Sequence, residues 1–459
     1  MVIKKALCYI MSIILLFGAF ALPVYAEEYT EDPSVSNGYH GIDGKKAYLG
    51  QGVLVENVKS AFLYEINSQS LLYSWNADLP QYPASLVKIM TALLVLENTE
   101  LSNAVTVTQN ALDSVARDAI SVDLLPGEII TVEDLLYCMI VKSANDAAAV
   151  LAEYISGSQE SFVSKMNARA TELGCTSTTY INAHGLHDDK QVTTARDTCR
   201  VLQEALNHEF FRTAFGTVHY TVPATNLSAE RIISTNNYLM STEDVAIYLD
   251  TRVTGGRTGV TTEGFRCIAS TASSGNMDVI CIVMGAASTI LDNGQTDVFG
   301  GFPETIALLN RAFDGNAMRQ IIFQNQILRQ QPVLNGDSDV FAYVKEPICT
   351  VLPVEYDLDD LNILYHDTPG AYEAPIMKDQ SLGSVEVFYN SSCIAQSEIF
   401  AANDVPIAVS KAGTYIEPER KGFPWGILLI LIIAIVSSFF IIRRIKVKKY
   451  HNHGRTRRS

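Results

Sequence analysis

The chain has 459 residues, of which 48% are hydrophobic and 18% charged, and its formal net charge is −16. This length and composition exclude an intrinsically disordered chain and leave room for two or three domains. All 50 acidic residues lie between residues 27 and 420, so the central part of the chain is strongly acidic, which argues against nucleic acid as a partner.

The N-terminal 26 residues have the pattern of a secretory signal peptide. Two lysines precede an apolar run over residues 6–22, and the small residues of Val24-Tyr25-Ala26 form a cleavage site. We predict cleavage after Ala26, and an uncleaved N-terminal anchor is the alternative. Residues 27–58 are predicted to form a spacer.

A β-hairpin and a helix are the first elements predicted after the spacer. Strand-like residues 60–66 and 71–75 are separated by a polar turn. Pro83 suits the first turn of a helix, and the following residues Leu86–Leu96 are strong helix formers. The hairpin therefore leads directly to a helix that begins near Ser85.

Ser85 and Lys88 lie three residues apart at this helix start, so their side chains share one face. A hydroxyl beside an amine is a candidate activated nucleophile, and the free backbone N–H groups of a first turn can bind an anion. Taken alone, Ser-x-x-Lys is also common on solvated helix surfaces. The pair gains meaning only if other parts of the chain complete a site.

A polar break between two apolar helical segments is the second notable feature. Thr131 is predicted to cap a helix that continues through Leu135–Val141, and helix resumes over Ala147–Tyr154. Between these segments lie Ser143 and Asn145, two hydrogen-bonding side chains where the helix is interrupted. The break is therefore a second candidate contributor to a site.

The remaining elements complete a domain predicted over residues 59–314. A turn at Thr254–Gly256 is predicted to lead into an edge strand, Arg257–Val260. The other predicted elements are helices Gln159–Leu173, Thr194–Leu206 and Asp297–Arg311, the loop Asn182–Asp189, and strands His219–Val222, Val245–Leu249, Phe265–Ser270 and Val279–Gly285.

Residues 320–409 have the pattern of a small all-β sandwich domain, because short alternating segments are separated by turn sequences. Residues 410–421 are polar and are predicted to form a stalk. The predicted strands are Val340–Val344, Thr350–Tyr356, Leu361–Tyr365, Ser384–Tyr389 and Cys393–Phe400.

The C-terminal part of the chain is predicted to cross a membrane once, over residues 422–442. Phe423–Ile442 carries no charge and is long enough to span the hydrocarbon core, and Trp425 lies at the expected interface. The tail 443–459 has many basic and no acidic residues, which places it in the cytoplasm and the preceding domains outside.

The cysteines give no sign of a disulfide framework. Of the eight, Cys8 lies in the signal peptide, and Cys138, Cys267 and Cys281 are predicted to be buried because they lie in apolar runs. His184-x-x-His187 precedes two aspartates, but no further ligands complete a metal site. We therefore predict neither a metal nor a cofactor.

Three short polar motifs together resemble the serine penicillin-recognising enzymes, in particular the low-molecular-weight D-alanyl-D-alanine carboxypeptidases of peptidase family S11. The resemblance covers about Lys59 to Phe313 and continues into the β domain at Asp379–Gly383. It implies an α+β fold, a penicillin-binding/β-lactamase-like domain with an antiparallel sheet flanked by helices. The motifs, in chain order, are Ser85-x-x-Lys88, Ser143-Ala144-Asn145 and Arg257-Thr258-Gly259.

The resemblance implies a catalytic role for the first two motifs. Ser85 would attack the carbonyl between two D-alanines and form an acyl-enzyme. Lys88 would take the serine proton if burial and the positive neighbour Arg257 keep the amine neutral. Ser143 would relay the proton to the departing D-alanine, and Asn145 would hold the substrate amide and orient Lys88.

The third motif is expected to bind the substrate's carboxylate. Arg257 and Thr258 would contact it, and Gly259 would let the substrate backbone approach the strand. The backbone N–H groups of Ser85 and Val260 would form the oxyanion hole.

Two further residues are placed by the resemblance, and one departs from it. His184 is expected to support the site from its loop, and His187 to be exposed. The family usually has Lys-Thr-Gly where this chain has Arg257. Arginine retains the charge and can grip a carboxylate with two hydrogen bonds, but the proton transfer open to a lysine is not expected of it.

The predicted function is therefore that of a serine D,D-carboxypeptidase anchored in a bacterial cell membrane. Its expected partners are peptidoglycan stem peptides, β-lactam antibiotics as inhibitors, and the membrane, and it would act in cell-wall synthesis and cell shape. Two alternatives remain at this stage: a β-lactamase, and a catalytically impaired wall-binding protein of the same fold.

Overall fold

The computed structural model describes residues 41–44, 47–49, 55–241, 246–390 and 392–408. The predicted signal peptide, stalk, membrane span and basic tail lie outside these ranges. Within them, the helices are all too short or too polar to cross a bilayer.

The first domain combines antiparallel strands with helices. Its strands are β1 (Ser60–Glu65), β2 (Ser70–Trp75), β3 (Ala104–Thr106), β4 (Ile129–Thr131), β5 (His219–Val222), β6 (Arg231–Ser234), β7 (Val253–Thr261), β8 (Phe265–Ser274), β9 (Met277–Ala286), β10 (Thr289–Ile290) and β11 (Thr296–Val298). Its helices are α1 (Val87–Asn98), α2 (Gln109–Asp113), α3 (Val132–Tyr137), α4 (Asn145–Ser156), α5 (Gln159–Glu172), α6 (Ala195–Ala205), α7 (Glu209–Phe215) and α8 (Phe302–Phe313).

A five-stranded antiparallel sheet, in the order β2-β1-β9-β8-β7, is covered on both faces. Because side chains alternate along a strand, Ile280 and Ile282 belong to one core with α1 and α6, while Val279 and Cys281 belong to a second core with α8. Helix α1 is buried from Val87 to Val95, so it lies at the centre of the domain rather than on its surface.

The β domain forms two sheets around a shared core that includes Ile322, Leu352 and Val385. One sheet has the order β13-β14-β18-β17-β16, and the other pairs β12 with β15. Its strands are β12 (Asn316–Ile322), β13 (Ile327–Gln331), β14 (Val340–Tyr343), β15 (Ile348–Pro353), β16 (Leu361–Asp367), β17 (Ser381–Tyr389) and β18 (Ser392–Ala401). The all-β character agrees with the sequence prediction, but β12 and β13 were not predicted, and β12 begins before residue 320.

Most local predictions in the first domain are confirmed. The hairpin forms as β1 and β2, and the side chains of Thr131 and Thr194 cap α3 and α6 by accepting the N–H groups of Asp134 and Asp197. Cys138, Cys267 and Cys281 are buried, and the cysteines in the described residues are free thiols.

Two predicted elements near the end of this domain are wrong. Of the strand predicted at Val245–Leu249, Val245 lies outside the described residues and Ala246–Tyr248 form a 3₁₀ turn. The Tyr248 ring stacks on Phe302, and its hydroxyl accepts the N–H of Phe299. Helix α8 begins at Phe302 rather than Asp297, because the Glu304 carboxylate accepts the N–H of Gly301 and fixes the first turn.

The turn predicted at Thr254–Gly256 is the third error, because these residues lie inside β7. A Cβ atom on Gly255 would lie 2.5 Å from Cδ1 of Phe215, and one on Gly256 would lie 2.2 Å from Nδ2 of Asn237. The glycines are therefore required for close packing against the strand, not for a change of chain direction.

Candidate active site

The backbone immediately before Ser85 is held in an unusual conformation. Ala84 has a φ of +48°, a value that side-chain-bearing residues rarely adopt. The 3₁₀ turn Ala84–Leu86 then runs into α1, so Ser85 stands at the helix start and is partly exposed. Gly185 packs against this turn so closely that a Cβ atom there would lie 2.1 Å from the Ala84 oxygen.

Lys88 lies one turn further along α1 and is only 1% exposed. Its Nζ donates to Asn145 Oδ1 at 2.8 Å and to the backbone oxygen of His184, and it lies 3.3 Å from Ser85 Oγ. A neutral amine has two N–H groups and one lone pair. The two oxygens take the N–H groups, which leaves the lone pair for the Ser85 hydroxyl.

The surroundings of Lys88 favour the neutral amine. Burial lowers the pKa of Lys88 well below its ordinary value, and the positive charge of Arg257 lowers it further, whereas Asp146 acts in the opposite direction. Burial and the neighbouring Lys88 also lower the pKa of His184 to about 3, so the imidazole is neutral.

Ser143 completes a chain of hydroxyl and amine groups. It follows a π-helical turn, Cys138–Lys142, and has a φ of +70°. Its Oγ donates to Ser85 Oγ at 3.0 Å, so a proton can pass between the two hydroxyls. The polar break predicted between two helices is therefore present, and two strained residues flank the nucleophile.

Asn145 is the first residue of α4, and its side chain accepts a hydrogen bond from Lys88. Its Oδ1 faces the lysine because its Nδ2 donates to the Ile120 oxygen at 2.9 Å. The backbone N–H of Asn145 donates to the same oxygen at 2.8 Å. Ile120 was not identified from the sequence, because a backbone carbonyl leaves no mark on residue type.

Asp146 holds the loop that carries Ile120. The buried carboxylate accepts from Ser121 Oγ at 2.7 Å and from the N–H groups of Val122 and Leu124. It thereby fixes the loop on α4 and supplies the negative charge that opposes deprotonation of Lys88. Asp146 was not identified from the sequence, because its partners include the backbone N–H groups of residues 24 and 22 positions away.

Replacing Asp146 by asparagine is expected to move the acid limb of the pH profile of kcat/KM to lower pH. The carboxylate raises the pKa of Lys88, so its removal lowers that pKa, and the amine loses its proton at lower pH. Ser121→Ala is the matched control, because it removes one loop hydrogen bond and keeps the charge. An equal shift in both variants, or none in Asp146→Asn, would contradict this assignment.

Gly259 brings β7 against the nucleophile. A Cβ atom at this position would lie 2.4 Å from the backbone nitrogen of Ser85 and 2.9 Å from Cβ of Ala84. The sequence prediction was that Gly259 gives the substrate backbone access to the strand. The structure shows that the crowding partner is the Ser85 turn itself, so the following residue of β7, Val260, also lies near that turn.

Gly259→Ala is expected to reduce kcat/KM by about 100-fold or more, because β7 must move away from Ser85 and misplacements of about 1 Å have effects of this size. Gly275→Ala is the control: unlike Gly259, Gly275 has a positive φ of +60°, but it has open space around its Cα, so alanine there adds backbone strain without a steric clash. Similar activity in the two variants, with circular dichroism showing both folded, would argue against the role of this close contact.

Arg257 differs from its sequence prediction in one respect. Its guanidinium is buried, with the residue only 2% exposed, and it donates to the backbone oxygens of Thr258 and Ile140 and to Asn236 Oδ1. Burial lowers the pKa of Arg257 to about 9, which leaves it charged at neutral pH. The guanidinium is therefore not exposed at the surface, where the predicted pair of hydrogen bonds to a substrate carboxylate would form.

Asn236 links Arg257 to Thr258 and was missed from the sequence. Its Oδ1 accepts from Arg257 Nη2 at 3.1 Å and from Thr258 Oγ1 at 3.2 Å. It lies 21 and 22 residues before these partners, on the segment after β6. No local pattern marks it, because the contact depends on how that segment crosses β7.

His184 and His187 have different positions. His184 supports Lys88 through its backbone oxygen, as expected of a supporting loop residue, while His187 is exposed and lies 3.1 Å from Asp189. Within the described ranges, groups of three or more side chains suited to a metal ion are absent.

The fold and the site together define a serine hydrolase of the penicillin-binding type: a hydroxyl nucleophile beside a buried neutral amine, a second hydroxyl, and the edge of an antiparallel sheet. Residues 54–288 match the D-alanyl-D-alanine carboxypeptidase family, peptidase family S11. Residues 317–407 match the C-terminal domain of penicillin-binding protein 5.

Individual relatives agree with these matches. The chain is 31% identical to D-alanyl-D-alanine carboxypeptidase DacC of Escherichia coli over 76% of this chain and 84% of the relative. It is 29% identical to the carboxypeptidase DacF of Bacillus subtilis over 83% and 92%. Penicillin-binding protein 5 from Haemophilus influenzae shares the fold, with a TM-score of 0.63 and 24% identity over 77% of this chain and all of that one. The chain belongs to the S11 family of D-alanyl-D-alanine carboxypeptidases, the low-molecular-weight penicillin-binding proteins.

Proposed function

We propose that this chain hydrolyses the terminal D-alanine from peptidoglycan stem pentapeptides through an acyl-enzyme on Ser85. The matched family and the relatives described above are D-alanyl-D-alanine carboxypeptidases, which supports this proposal. The observation that carries the assignment of residues is the position of Lys88 Nζ, 3.3 Å from Ser85 Oγ, inside a buried pocket that favours the neutral amine.

Acylation begins when Ser85 Oγ attacks the carbonyl carbon of the penultimate D-alanine. Lys88 takes the hydroxyl proton with its lone pair, while Asn145 Oδ1 and the His184 oxygen hold its remaining N–H groups. The backbone N–H groups of Ser85 and Val260 stabilise the negative oxygen of the tetrahedral intermediate, a contribution of about 3–4 kcal/mol per donor in other enzymes.

The intermediate then expels the terminal D-alanine. Ser143 passes its hydroxyl proton to the departing nitrogen and takes a proton in return from the protonated Lys88, which becomes neutral again; a hydroxyl 3.0 Å from Ser85 Oγ can both donate and accept. Water then attacks the remaining ester and gives a proton to Lys88, and this proton returns to Ser85 Oγ as the acyl bond breaks. A β-lactam would acylate Ser85 in the same way.

The cellular position follows from the two ends of the sequence. Residues 1–26 have the pattern of a signal peptide, and residues 422–442 that of a single membrane span followed by a basic cytoplasmic tail. The stalk 410–421 and the β domain would then hold the catalytic domain outside the bacterial membrane, where peptidoglycan is located.

Release of D-alanine from a peptide that ends in Lys-D-Ala-D-Ala tests this function. The full chain in detergent should release one D-alanine per peptide, and Ser164→Ala, a change of an exposed serine on α5, should have the wild-type rate. Failure of folded wild-type protein to release D-alanine would refute the proposed activity.

Incubation with labelled penicillin distinguishes the proposed carboxypeptidase from the β-lactamase alternative, which the comparisons do not favour. We expect a long-lived adduct, whereas rapid turnover without a trapped adduct would support a β-lactamase. Penicillin binding without D-alanine release would support the impaired wall-binding alternative, for which the replacement of the usual lysine by Arg257 is the motivating feature.

A further inference from the structure

We infer that Asn236 donates the hydrogen bond that recognises the substrate's terminal carboxylate, and that Arg257 acts as a positioning residue that orients this donor. The inference deepens the proposed function and rests on it. It replaces the direct contact between Arg257 and the carboxylate that the sequence suggested.

The orientation of the Asn236 amide is fixed by its neighbours. A guanidinium only donates hydrogen bonds, so the Asn236 atom that lies 3.1 Å from Arg257 Nη2 must be the oxygen. Thr258 Oγ1 donates to the same oxygen at 3.2 Å. The Nδ2 group, with its two N–H donors, therefore points away from both residues.

Exposure distinguishes the three residues. Arg257 is 2% exposed and Thr258 is 1% exposed, whereas Asn236 is only partly buried. Among the described residues, the Asn236 Nδ2 group has no acceptor, and it is not one of their buried polar atoms that lack a partner. A substrate that approaches from solvent would therefore meet the amide before the guanidinium.

The location fits the end of the peptide. Thr258 is next to Gly259, which packs on the Ser85 backbone nitrogen, so Asn236 lies within about one residue of the reacting carbonyl along β7. In a D-alanyl-D-alanine terminus, the free carboxylate is one residue beyond that carbonyl.

Two substitutions distinguish the role of the Asn236 N–H donors from that of its Oδ1 acceptor. Asn236→Asp keeps an oxygen for Arg257 and Thr258 but removes the N–H donor and adds a negative charge beside the carboxylate. Asn236→Ala removes both functions. Asn362→Asp, on an exposed position of β16, is the charge-matched control.

The readout is the ratio of kcat/KM for a Lys-D-Ala-D-Ala peptide with a free carboxylate to that for its C-terminal amide, each measured on the plateau of the variant's pH profile. Asn236→Ala should lower this ratio by roughly 10- to 100-fold, the range for hydrogen bonds to charged groups. Asn236→Asp should lower it further, and the control should leave it unchanged.

A double-mutant cycle tests the positioning role. Arg257→Met should lower the ratio in the wild-type background and have little further effect beside Asn236→Ala. Additive effects would show that Arg257 contacts the carboxylate independently of Asn236. A uniform loss for both peptides in Asn236→Ala and Asn236→Asp, with the ratio unchanged, would overturn the inference.

Binding measurements separate this inference from the proposed reaction. The Ser85→Ala variant cannot form an acyl-enzyme, so the dissociation constants of the two peptides can be measured on it by NMR titration. If wild type releases no D-alanine, the proposed activity fails. A preference for the carboxylate peptide that is lost on adding Asn236→Ala would still support the role of Asn236, whereas an unchanged preference would refute it.

Discussion

Ser85→Ala should lower kcat/KM for D-alanine release by on the order of 10⁴-fold or more, because no acyl-enzyme can form without the hydroxyl. Losses of this size follow removal of the nucleophile in other serine hydrolases. The remaining groups are held by contacts that do not need the Ser85 hydroxyl: Lys88 bonds to Asn145 and His184, and Asn145 bonds to Ile120. The variant should therefore fold normally and still bind substrate.

The measurement is a comparison of D-alanine release and thermal unfolding for wild type, Ser85→Ala and the surface control Ser164→Ala. Unfolding temperatures within a few degrees of each other would show that lost activity is not lost folding. If Ser85→Ala retained a substantial fraction of the wild-type rate, a different residue would have to be the nucleophile.

Lys88→Met should lower kcat/KM by roughly 10³-fold, within the range for removal of a general base. Methionine is close to lysine in volume but cannot accept a proton. The buried site is already apolar enough to lower the pKa of Lys88, so the folded protein should tolerate the exchange. The rate of acylation by penicillin should fall with the peptidase activity, because both begin with the same proton transfer.

The pH profile gives a second test of Lys88. In wild type, kcat/KM should rise with pH as Lys88 loses its proton, with a midpoint well below the ordinary value for lysine. Arg257→Met removes a positive charge that lowers this pKa, so its midpoint should lie at higher pH, opposite to the shift for Asp146→Asn. Lys142→Met, at an exposed lysine, should have the wild-type profile.

Local patterns in the sequence predicted the elements that depend on neighbouring residues. The β1–β2 hairpin, the caps at Thr131 and Thr194 and the end of α5 before Gly174 all follow from turn, cap and periodicity signals. Elements decided by distant contacts were missed. The glycines of β7 signalled a turn because their packing partners, Phe215 and Asn237, lie outside the segment.

Site residues related by local spacing were likewise predicted, and those that depend on distant contacts were missed. Spacing along one helix brought Ser85 and Lys88 together, and only the order of the three motifs indicated that Ser143 and Asn145 belong with them. The structure adds Asn236 and Asp146. The partner of Asn236 is 21 residues away, and that of Asp146 is the backbone of a loop, so neither contact can be derived from residue types at fixed spacing.

The contacts of Arg257 give a physical reason for arginine where the family usually has lysine. Arginine is longer than the usual lysine and ends in a planar group, and here it donates to both the Ile140 oxygen and Asn236 Oδ1. It also supplies the positive charge near Lys88. Burial makes this charge effective, because little water screens it.

Mapping of the penicillin adduct tests the central claim most directly, namely that Ser85 is acylated with Lys88 as its base. After incubation of the full chain with benzylpenicillin, mass spectrometry should find one adduct, on the peptide that contains Ser85. The adduct should be absent from Ser85→Ala and should form much more slowly in Lys88→Met. An adduct on another residue, or acylation of Lys88→Met at the wild-type rate, would contradict the mechanism.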